Sequence, residues 1–287
     1  MPQTNKKTLF QKYIRPLTPL PTALTPTGQL RENIRCVLFD IYGTLFISGS
    51  GDIGSAAQAS ARLQGIDELL AKYGIHKNAR VLLDEFHDAI QSRHAELKNK
   101  GIDFPEVRID KIWQQVLQIR GQETVRQFAL EFELMSNPAY PMPNLANLLS
   151  ACRREKISMG IISNAQFYTA CLFRWFLNAR PEELGFNADF IFYSYRYEIA
   201  KPAPSLFEMA AASLAGAGIP PSAVLYLGND MLNDIYPARN AGFQTALFAG
   251  DRRSLRLRRD DPRCKNLAPD LVVTDLSQLI QHLEPRV

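Results

Sequence analysis

The hydrophobic positions of this chain follow two patterns, one typical of buried strands and one typical of helices. Short apolar runs, such as CVLF at 36–39 and AVLYLG at 223–228, alternate with longer segments, such as PSLFEMAAASLAGA at 204–217. Further apolar runs of strand length lie at 157–163, 189–194, 244–249 and 270–275. Apolar strands that are each followed by a helix are typical of a parallel sheet covered on both faces. The pattern therefore predicts an α/β fold with a parallel, Rossmann-like sheet flanked by helices.

A second pattern interrupts this alternation. Between about residues 54 and 135, apolar side chains recur at steps of three and four residues, which predicts four or so amphipathic helices. We expect an all-helical cap over 51–137, inserted into an α/β core made of 35–50 and 138–287. The Gly- and Ser-rich stretch FISGSGDIGSA at 46–56 is predicted to be a mobile loop, and the three prolines of NPAYPMPN at 137–144 predict a linker.

Residues 1–34 contain five prolines, whose spacing excludes a long helix and predicts an extended arm. The basic N-terminus lacks the apolar run of a signal peptide, and nowhere do about 18 apolar residues run together. The four cysteines lie far apart, without the spacing of a zinc site. We therefore expect a cytoplasmic protein.

Composition and charge change this picture little. With 46% hydrophobic and 22% charged residues, the chain has the composition of a globular protein. Its net charge of +4 is accounted for by residues 251–265, which hold seven basic and three acidic side chains. The Arg-rich stretch 252–259 is predicted to be a solvated loop, and no basic face for nucleic acid or a membrane is indicated.

Polar residues follow four of the predicted strands. Asp40 lies in FDIYGTLF, Ser163 in IISN and Lys201 in AKPAPSLF, while Asp230 and Asp234 lie in LGNDMLND. Singly, each has an ordinary structural explanation as a helix cap or a solvated charge. Ligands of parallel α/β sheets bind at the carboxyl ends of the strands, however, where these residues are expected to converge.

In this order, the four motifs resemble those of the haloacid dehalogenase-like hydrolase superfamily, and they span residues 35–250. That superfamily often inserts a helical cap after the first motif. The resemblance implies a hydrolase in which Asp40 is the nucleophile and forms an aspartyl ester that water cleaves. It also implies Mg²⁺ bound by Asp40, the backbone carbonyl of Tyr42 and Asp230.

The resemblance implies further roles at the same site. Thr44, Ser163 and Asn164 would bind the substrate, and Lys201 would supply positive charge. Asp234 would orient Lys201 or a metal-bound water, and so belongs to both the catalytic and the metal set. The expected partner is a small anionic molecule.

Tyr42 departs from the phosphatases of the superfamily, which commonly carry an aspartate there to protonate the leaving group. A tyrosine is typical of the L-2-haloacid dehalogenases, whose halide needs no proton and whose reaction needs no metal. Those enzymes, however, carry a small hydroxyl residue in place of Asp230 and a tyrosine in place of Phe207. We therefore predict a Mg²⁺-dependent phosphatase of a small phosphorylated metabolite, with catalytic residues Asp40, Tyr42, Lys201 and Asp234. The alternatives are a metal-independent haloacid dehalogenase and an inactive binding protein in which Tyr42 only packs.

Overall fold

The computed structural model describes residues 11–49 and 63–283. Within them, seven strands form one sheet and two form another. The strands are β1 Thr27–Gly28, β2 Cys36–Phe39, β3 Phe46–Ser48, β4 Ala139–Pro141, β5 Ser158–Ser163, β6 Phe186–Tyr193, β7 Val224–Gly228, β8 Gln244–Phe248 and β9 Leu271–Val273. The larger sheet has the order β1-β9-β8-β7-β2-β5-β6. All its pairings are parallel except that of β1 with β9.

Helices cover this sheet and form the segment between its first two parallel strands. They are α1 Leu63–Lys72, α2 Ala79–Asn99, α3 Ile109–Leu117, α4 Gln122–Ser136, α5 Leu145–Arg154, α6 Ala170–Leu177, α7 Ser194–Tyr197, α8 Pro204–Gly216, α9 Tyr236–Asn240 and α10 Leu276–Leu283. A π-helical turn, Met231–Ile235, precedes α9. None of the described helices is both long and apolar enough to cross a membrane.

The central strand β2 shows why the sheet is parallel and covered on both faces. Its four residues have no exposed surface. Val37 and Phe39 pack into one hydrophobic cluster, whereas Cys36 and Leu38 pack into another on the opposite face. Side chains alternate between faces along a strand, so a strand that is apolar at every position requires cover on both sides. The predicted Rossmann-like α/β architecture is confirmed.

The helices between β3 and β4 have a hydrophobic core of their own. The indole of Trp113 in α3 stacks on Phe86 of α2 with ring centroids 4.1 Å apart, and it meets Phe128 of α4 at 4.9 Å. The four helices α1–α4 agree with the helical pattern of the sequence. Residues 50–62 lie outside the described part of the chain, so the predicted loop over 46–56 is described only as far as Gly49.

The two predicted connections to the helical segment contain strands instead of only loop and linker. Phe46–Ser48 (β3) pairs antiparallel with Ala139–Pro141 (β4), and the Gly49 amide also donates to the Pro138 carbonyl at 2.8 Å. Phe46 and Ile47 have no exposed surface. Burial of these two side chains holds the start of the loop in place, although its Gly and Ser content predicts mobility. The pairing holds the entry and exit of the helical segment side by side.

The described part of the N-terminal arm begins with helical residues at 11–13 and has no regular secondary structure from there to β1. Leu20 N donates to Asp251 Oδ1 at 3.1 Å, and the Thr22 hydroxyl donates to the Ala249 carbonyl at 2.8 Å. Strand β1 then adds to the edge of the sheet beside β9. These contacts connect the arm to the loop that follows β8.

Candidate active site

Asp40 lies at the carboxyl end of the central strand, where its side chain is nearly buried. Its backbone amide continues the sheet by donating to the Leu227 carbonyl at 2.9 Å, and the residue is 6% exposed. Oδ1 of its carboxylate accepts from Ser163 Oγ at 3.0 Å and from Lys201 Nζ at 2.7 Å. Oδ2 has a longer contact of 3.4 Å with Thr44 Oγ1. One carboxylate oxygen is therefore held by a hydroxyl and an ammonium group, and the other is less restrained.

The turn after Asp40 depends on Gly43. Its φ of +82° is in the left-handed region, and a Cβ there would lie 2.4 Å from Cβ of Ser254. Any larger residue would push the turn away from the loop after β8. The same turn places the Thr44 hydroxyl 3.0 Å from Asn229 Oδ1, to which it donates. Thr44 thus binds the strand-end loop more closely than it binds Asp40.

Lys201 connects two carboxylates below the surface of the site. The residue is 5% exposed, and Nζ donates to Asp40 Oδ1 at 2.7 Å and to Asp234 Oδ1 at 2.5 Å. Burial alone would lower the pKa of this ammonium group, but the charges of Asp234 and Asp40 raise it above its ordinary value. Its backbone amide donates to Asn164 Oδ1 at 2.7 Å. Asn164, predicted to bind substrate, thus bonds the backbone of Lys201, although it also borders the cavity described below.

Asp234 accepts hydrogen bonds on both oxygens. Oδ1 receives Lys201 and the Tyr226 hydroxyl, the latter at 3.0 Å, and Oδ2 receives the backbone amide of Asp230 at 2.9 Å. A Cβ at Gly228 would overlap this carboxylate, so the glycine is required for close approach. Burial raises the pKa of Asp234 to about 6, although the charge of Lys201 opposes the shift. Of the two predicted roles, the geometry agrees with orientation of Lys201.

Tyr42 is oriented by a hydroxyl group. Its phenol oxygen lies 3.1 Å from Thr169 Oγ1. Burial raises the pKa of Tyr42 well above 10, and the neighbouring negative charge of Glu133 raises it further. A phenol with such a pKa gives up its proton less readily than an ordinary tyrosine, so it is a weaker general acid.

Asp230 is bound by a residue that the sequence did not indicate. Its carboxylate caps the following helical turn by accepting from the amides of Leu232 at 2.9 Å and Asn233 at 3.2 Å. The Arg258 guanidinium also donates to it, from Nη2 to Oδ2 at 2.7 Å and from Nε to both oxygens at 3.2 Å. Both oxygens of Asp230 are therefore occupied by donors of the chain itself.

The Arg-rich stretch 252–259 is folded against the site, and the prediction of a solvated loop is wrong for the part that holds Arg258. The Arg256 amide donates to the Asn229 carbonyl at 3.0 Å, and the Met231 amide donates to the Arg256 carbonyl at 2.9 Å. Leu255 and Leu257 pack against a small hydrophobic cluster. The alternation of Leu and Arg in LRLR at 255–258 could have predicted this packing, since alternation is typical of an extended segment with one apolar and one polar face.

Magnesium is the ion that the family resemblance implies, with Asp40, Tyr42, Asp230 and Asp234 as the predicted ligands. Two of the three carboxylates are bound by Lys201 and the third by Arg258. Within residues 11–49 and 63–283, no three acidic, histidine or cysteine side chains are grouped so as to hold a metal. The arrangement therefore does not fit Mg²⁺ unless Arg258 leaves Asp230.

A cavity of about 500 Å³ extends from Asp40 towards the helices α2–α4. Its lining contains Asp40, Tyr42 and Lys201 together with polar side chains that the sequence did not single out. Among these additional polar side chains are Glu106, Glu133, Asn229, Ser254 and Arg256. No sequence signal identifies them, because they come from different segments that meet only in the fold.

The comparisons with known proteins identify the family of the chain. The family model of the haloacid dehalogenase-like hydrolases matches residues 34–242, and the chain belongs to that family. No curated protein sequence is significantly similar.

Solved structures of the family resemble most of the chain. A 2-haloacid dehalogenase from Pseudomonas syringae pv. Tomato DC3000 is 21% identical with a TM-score of 0.54, covering 87% of this chain and 98% of its own. A phosphatase of the same superfamily from Thermococcus onnurineus is 18% identical with a TM-score of 0.51 and the same coverage, 87% and 98%. A defluorinating L-2-haloacid dehalogenase is 16% identical with a TM-score of 0.53, covering 93% and 99%. Identities this low show the fold and not the substrate.

Proposed function

We propose that this hydrolase uses Asp40 to displace a leaving group that departs without a proton, as a halide does, from a small organic acid. The observation that carries the proposal is the hydrogen bonding of the Asp40 carboxylate. Lys201 and Ser163 donate to Oδ1, whereas Oδ2 is less restrained. Tyr42 and Asp230 support it, because the first is a poor proton donor and the second is already bound by Arg258.

In the first step, Oδ2 of Asp40 would attack the carbon that carries the leaving group. A carbon–oxygen bond forms, the bond to the leaving group breaks, and the halide departs with the electron pair. The product is an aspartyl ester whose carbonyl oxygen is the former Oδ1.

In the second step, water would attack the carbonyl carbon of that ester. Negative charge then develops on Oδ1, where Lys201 Nζ lies at 2.7 Å and Ser163 Oγ at 3.0 Å. Preformed donors at a developing oxyanion lower the barrier to its formation. One proton of the water passes to the departing alkoxide, the second is released, and Asp40 returns as a carboxylate.

Isotope labelling tests this chemistry directly. A single turnover of 2-chloropropionate in H₂¹⁸O should place the heavy oxygen in the peptide that contains Asp40, as measured by mass spectrometry. Asp40→Asn should release no halide, since the amide is a poor nucleophile. Label that appears only in the hydroxyacid product would show that water, and not Asp40, attacks the substrate.

The second candidate is the Mg²⁺-dependent phosphatase predicted from the sequence. It is favoured by Asp230, an acid that borders the same cavity as Asp40 and has no role in metal-independent displacement. This reaction would require Arg258 to leave Asp230, and phosphate release from acetyl phosphate and p-nitrophenyl phosphate would depend on added Mg²⁺. Phosphate release that EDTA abolishes, without release of halide from 2-haloacids, would establish it. Inactivity towards both substrate classes would support the binding-protein alternative.

A further inference from the structure

The cavity above Asp40 is lined by both polar and apolar side chains. The helical segment contributes polar groups, such as His87, Gln91 and His94, and a large share of aromatic and aliphatic surface. The apolar lining includes Phe86, Ile90, Trp113, Ala129, Phe132 and Tyr168. A volume of about 500 Å³ is in the range of pockets that hold drug-sized ligands. A molecule as small as 2-chloropropionate would leave most of this volume unfilled.

We infer that the substrate carries an apolar ring system, which packs against the aromatic side chains Phe86, Trp113 and Phe132 while its reactive group meets Asp40. The inference rests on the proposed function only in the choice of Asp40 as the reactive end. Burial of a ring against these walls removes apolar surface from water, and that contributes binding free energy in proportion to the area.

The aromatic wall is held in place by its own contacts, which makes it a preformed surface. Trp113 is 1% exposed, stacks on Phe86 and meets the edge of Phe132 with ring centroids 4.8 Å apart. Side chains that are packed in this way lose little further freedom when a ligand binds. Aromatic ligands also gain from stacked or edge-on contacts with such rings.

His94 gives the ring a polar partner. Its Nε2 atom is buried, and no described residue forms a hydrogen bond with it. Burial lowers the pKa of His94, so the imidazole is neutral near pH 7 and can serve as donor or acceptor. A buried polar atom without a partner is costly, and a ligand that bonds it removes that cost. We therefore expect a hydrogen-bonding substituent on the ring.

Trp113 provides the binding assay, because a ring ligand in the cavity would change its fluorescence. The chain has two tryptophans, and Trp175→Phe leaves Trp113 as the only one. Titration with propionate, 3-phenylpropionate and 3-(2-naphthyl)propionate keeps the acid group constant while the ring grows. We expect affinity to rise by about tenfold or more for each added ring. Equal affinity for all three acids would overturn the inference.

Two substitutions in the same helix locate the site. Ile90→Phe narrows the cavity and should weaken binding of the naphthyl acid, whereas Val81→Phe, at a position that is 51% exposed, should not. His94→Leu should weaken binding of a hydroxynaphthyl acid more than that of the unsubstituted acid. Circular dichroism and urea unfolding would show that each variant is folded. Equal binding by all these variants would also overturn the inference.

The result of these binding measurements does not depend on the proposed reaction, because the three acids carry no leaving group. If the ring acids bind but their 2-chloro derivatives are not hydrolysed, the proposed function fails and the binding site stands. If 2-chloropropionate is hydrolysed but no ring acid binds, the proposed function stands and the inferred ring site fails.

Discussion

Replacement of Arg258 by glutamine should raise the affinity for Mg²⁺ and lower the free energy of unfolding in the absence of Mg²⁺. The guanidinium donates hydrogen bonds to Asp230 from two nitrogen atoms, Nε and Nη2. The side chain of Arg258 is 34% exposed, and that of Asp230 is 8% exposed. A charge-assisted contact of this kind, discounted for the exposed part of Arg258, contributes about 1–2 kcal/mol.

The same free energy lowers the affinity of the wild type for Mg²⁺, because the ion can bind Asp230 only after Arg258 has left. Arg258→Gln removes this competition, so the affinity for Mg²⁺ should rise by about 5- to 30-fold. Without Mg²⁺, the free energy of unfolding should fall by about 1–2 kcal/mol, since Asp230 keeps its capping bonds but loses its cation.

Isothermal titration calorimetry with Mg²⁺ measures the affinity, and urea unfolding without Mg²⁺ measures the free energy of unfolding. Arg263→Gln is the matched control, since Arg263 pairs with Asp261 in the same loop and does not border the cavity. Both its stability and its Mg²⁺ affinity should stay close to wild type. If Arg258→Gln bound Mg²⁺ no more tightly than wild type, Arg258 would not be what excludes the ion. Tight binding by the wild type would show that the contact yields readily and would favour the phosphatase.

Three further substitutions test the site. Lys201→Met leaves Asp40 and Asp234 buried without a cation and should lower the free energy of unfolding by about 3–5 kcal/mol, with partial recovery in Lys201→Met/Asp234→Asn, measured in urea. Burial raises the pKa of Glu106, so the folded state keeps a proton that the unfolded chain has lost, and stability should fall as pH rises above 4.5. Glu106→Gln should reduce this decline in urea unfolding followed across pH, leaving the part that the raised pKa of Asp234 causes; an unchanged slope would refute the assignment. Tyr42→Phe should reduce halide release by far less than the ~10²-fold loss expected for a general acid, and a loss that large would give Tyr42 a proton-transfer role.

The carboxyl-edge rule for parallel sheets explains why much of the candidate site could be predicted from the sequence. Strand β2 and strand β5 are recognisable as short apolar runs, so Asp40 and Ser163 at their ends had to meet. Lys201 and Asp234 follow the same logic, since Lys201 comes after β6 and the short helix α7, and Asp234 lies in the helical turn after β7. These positions depend on local patterns, which a single sequence displays.

Contacts between distant segments could not be predicted in this way. The pairing of β3 with β4 joins stretches about ninety residues apart, as in the register of Ile47 with Tyr140, and neither stretch has a strong strand pattern. The cavity wall likewise combines Trp113 and His94, which lie in helices, with Tyr168 from the turn before α6. Only the packing of the helical segment over the sheet turns these side chains into one surface.

Tyr42 and Arg258 together support the proposed displacement over phosphoryl transfer more than either residue does alone. A tyrosine in place of an acid fits a phosphatase whose leaving group is good enough, and an arginine on Asp230 fits a loop that moves aside when metal binds. The two act on different requirements of phosphoryl transfer, however, because one concerns the proton and the other the cation. Tyr42 is a weak proton donor at the same site where Arg258 occupies both oxygens of Asp230. The proposed displacement needs neither a proton at position 42 nor a metal at position 230, and it would use the hydrogen-bond donors that Lys201 and Ser163 direct at Oδ1 of Asp40.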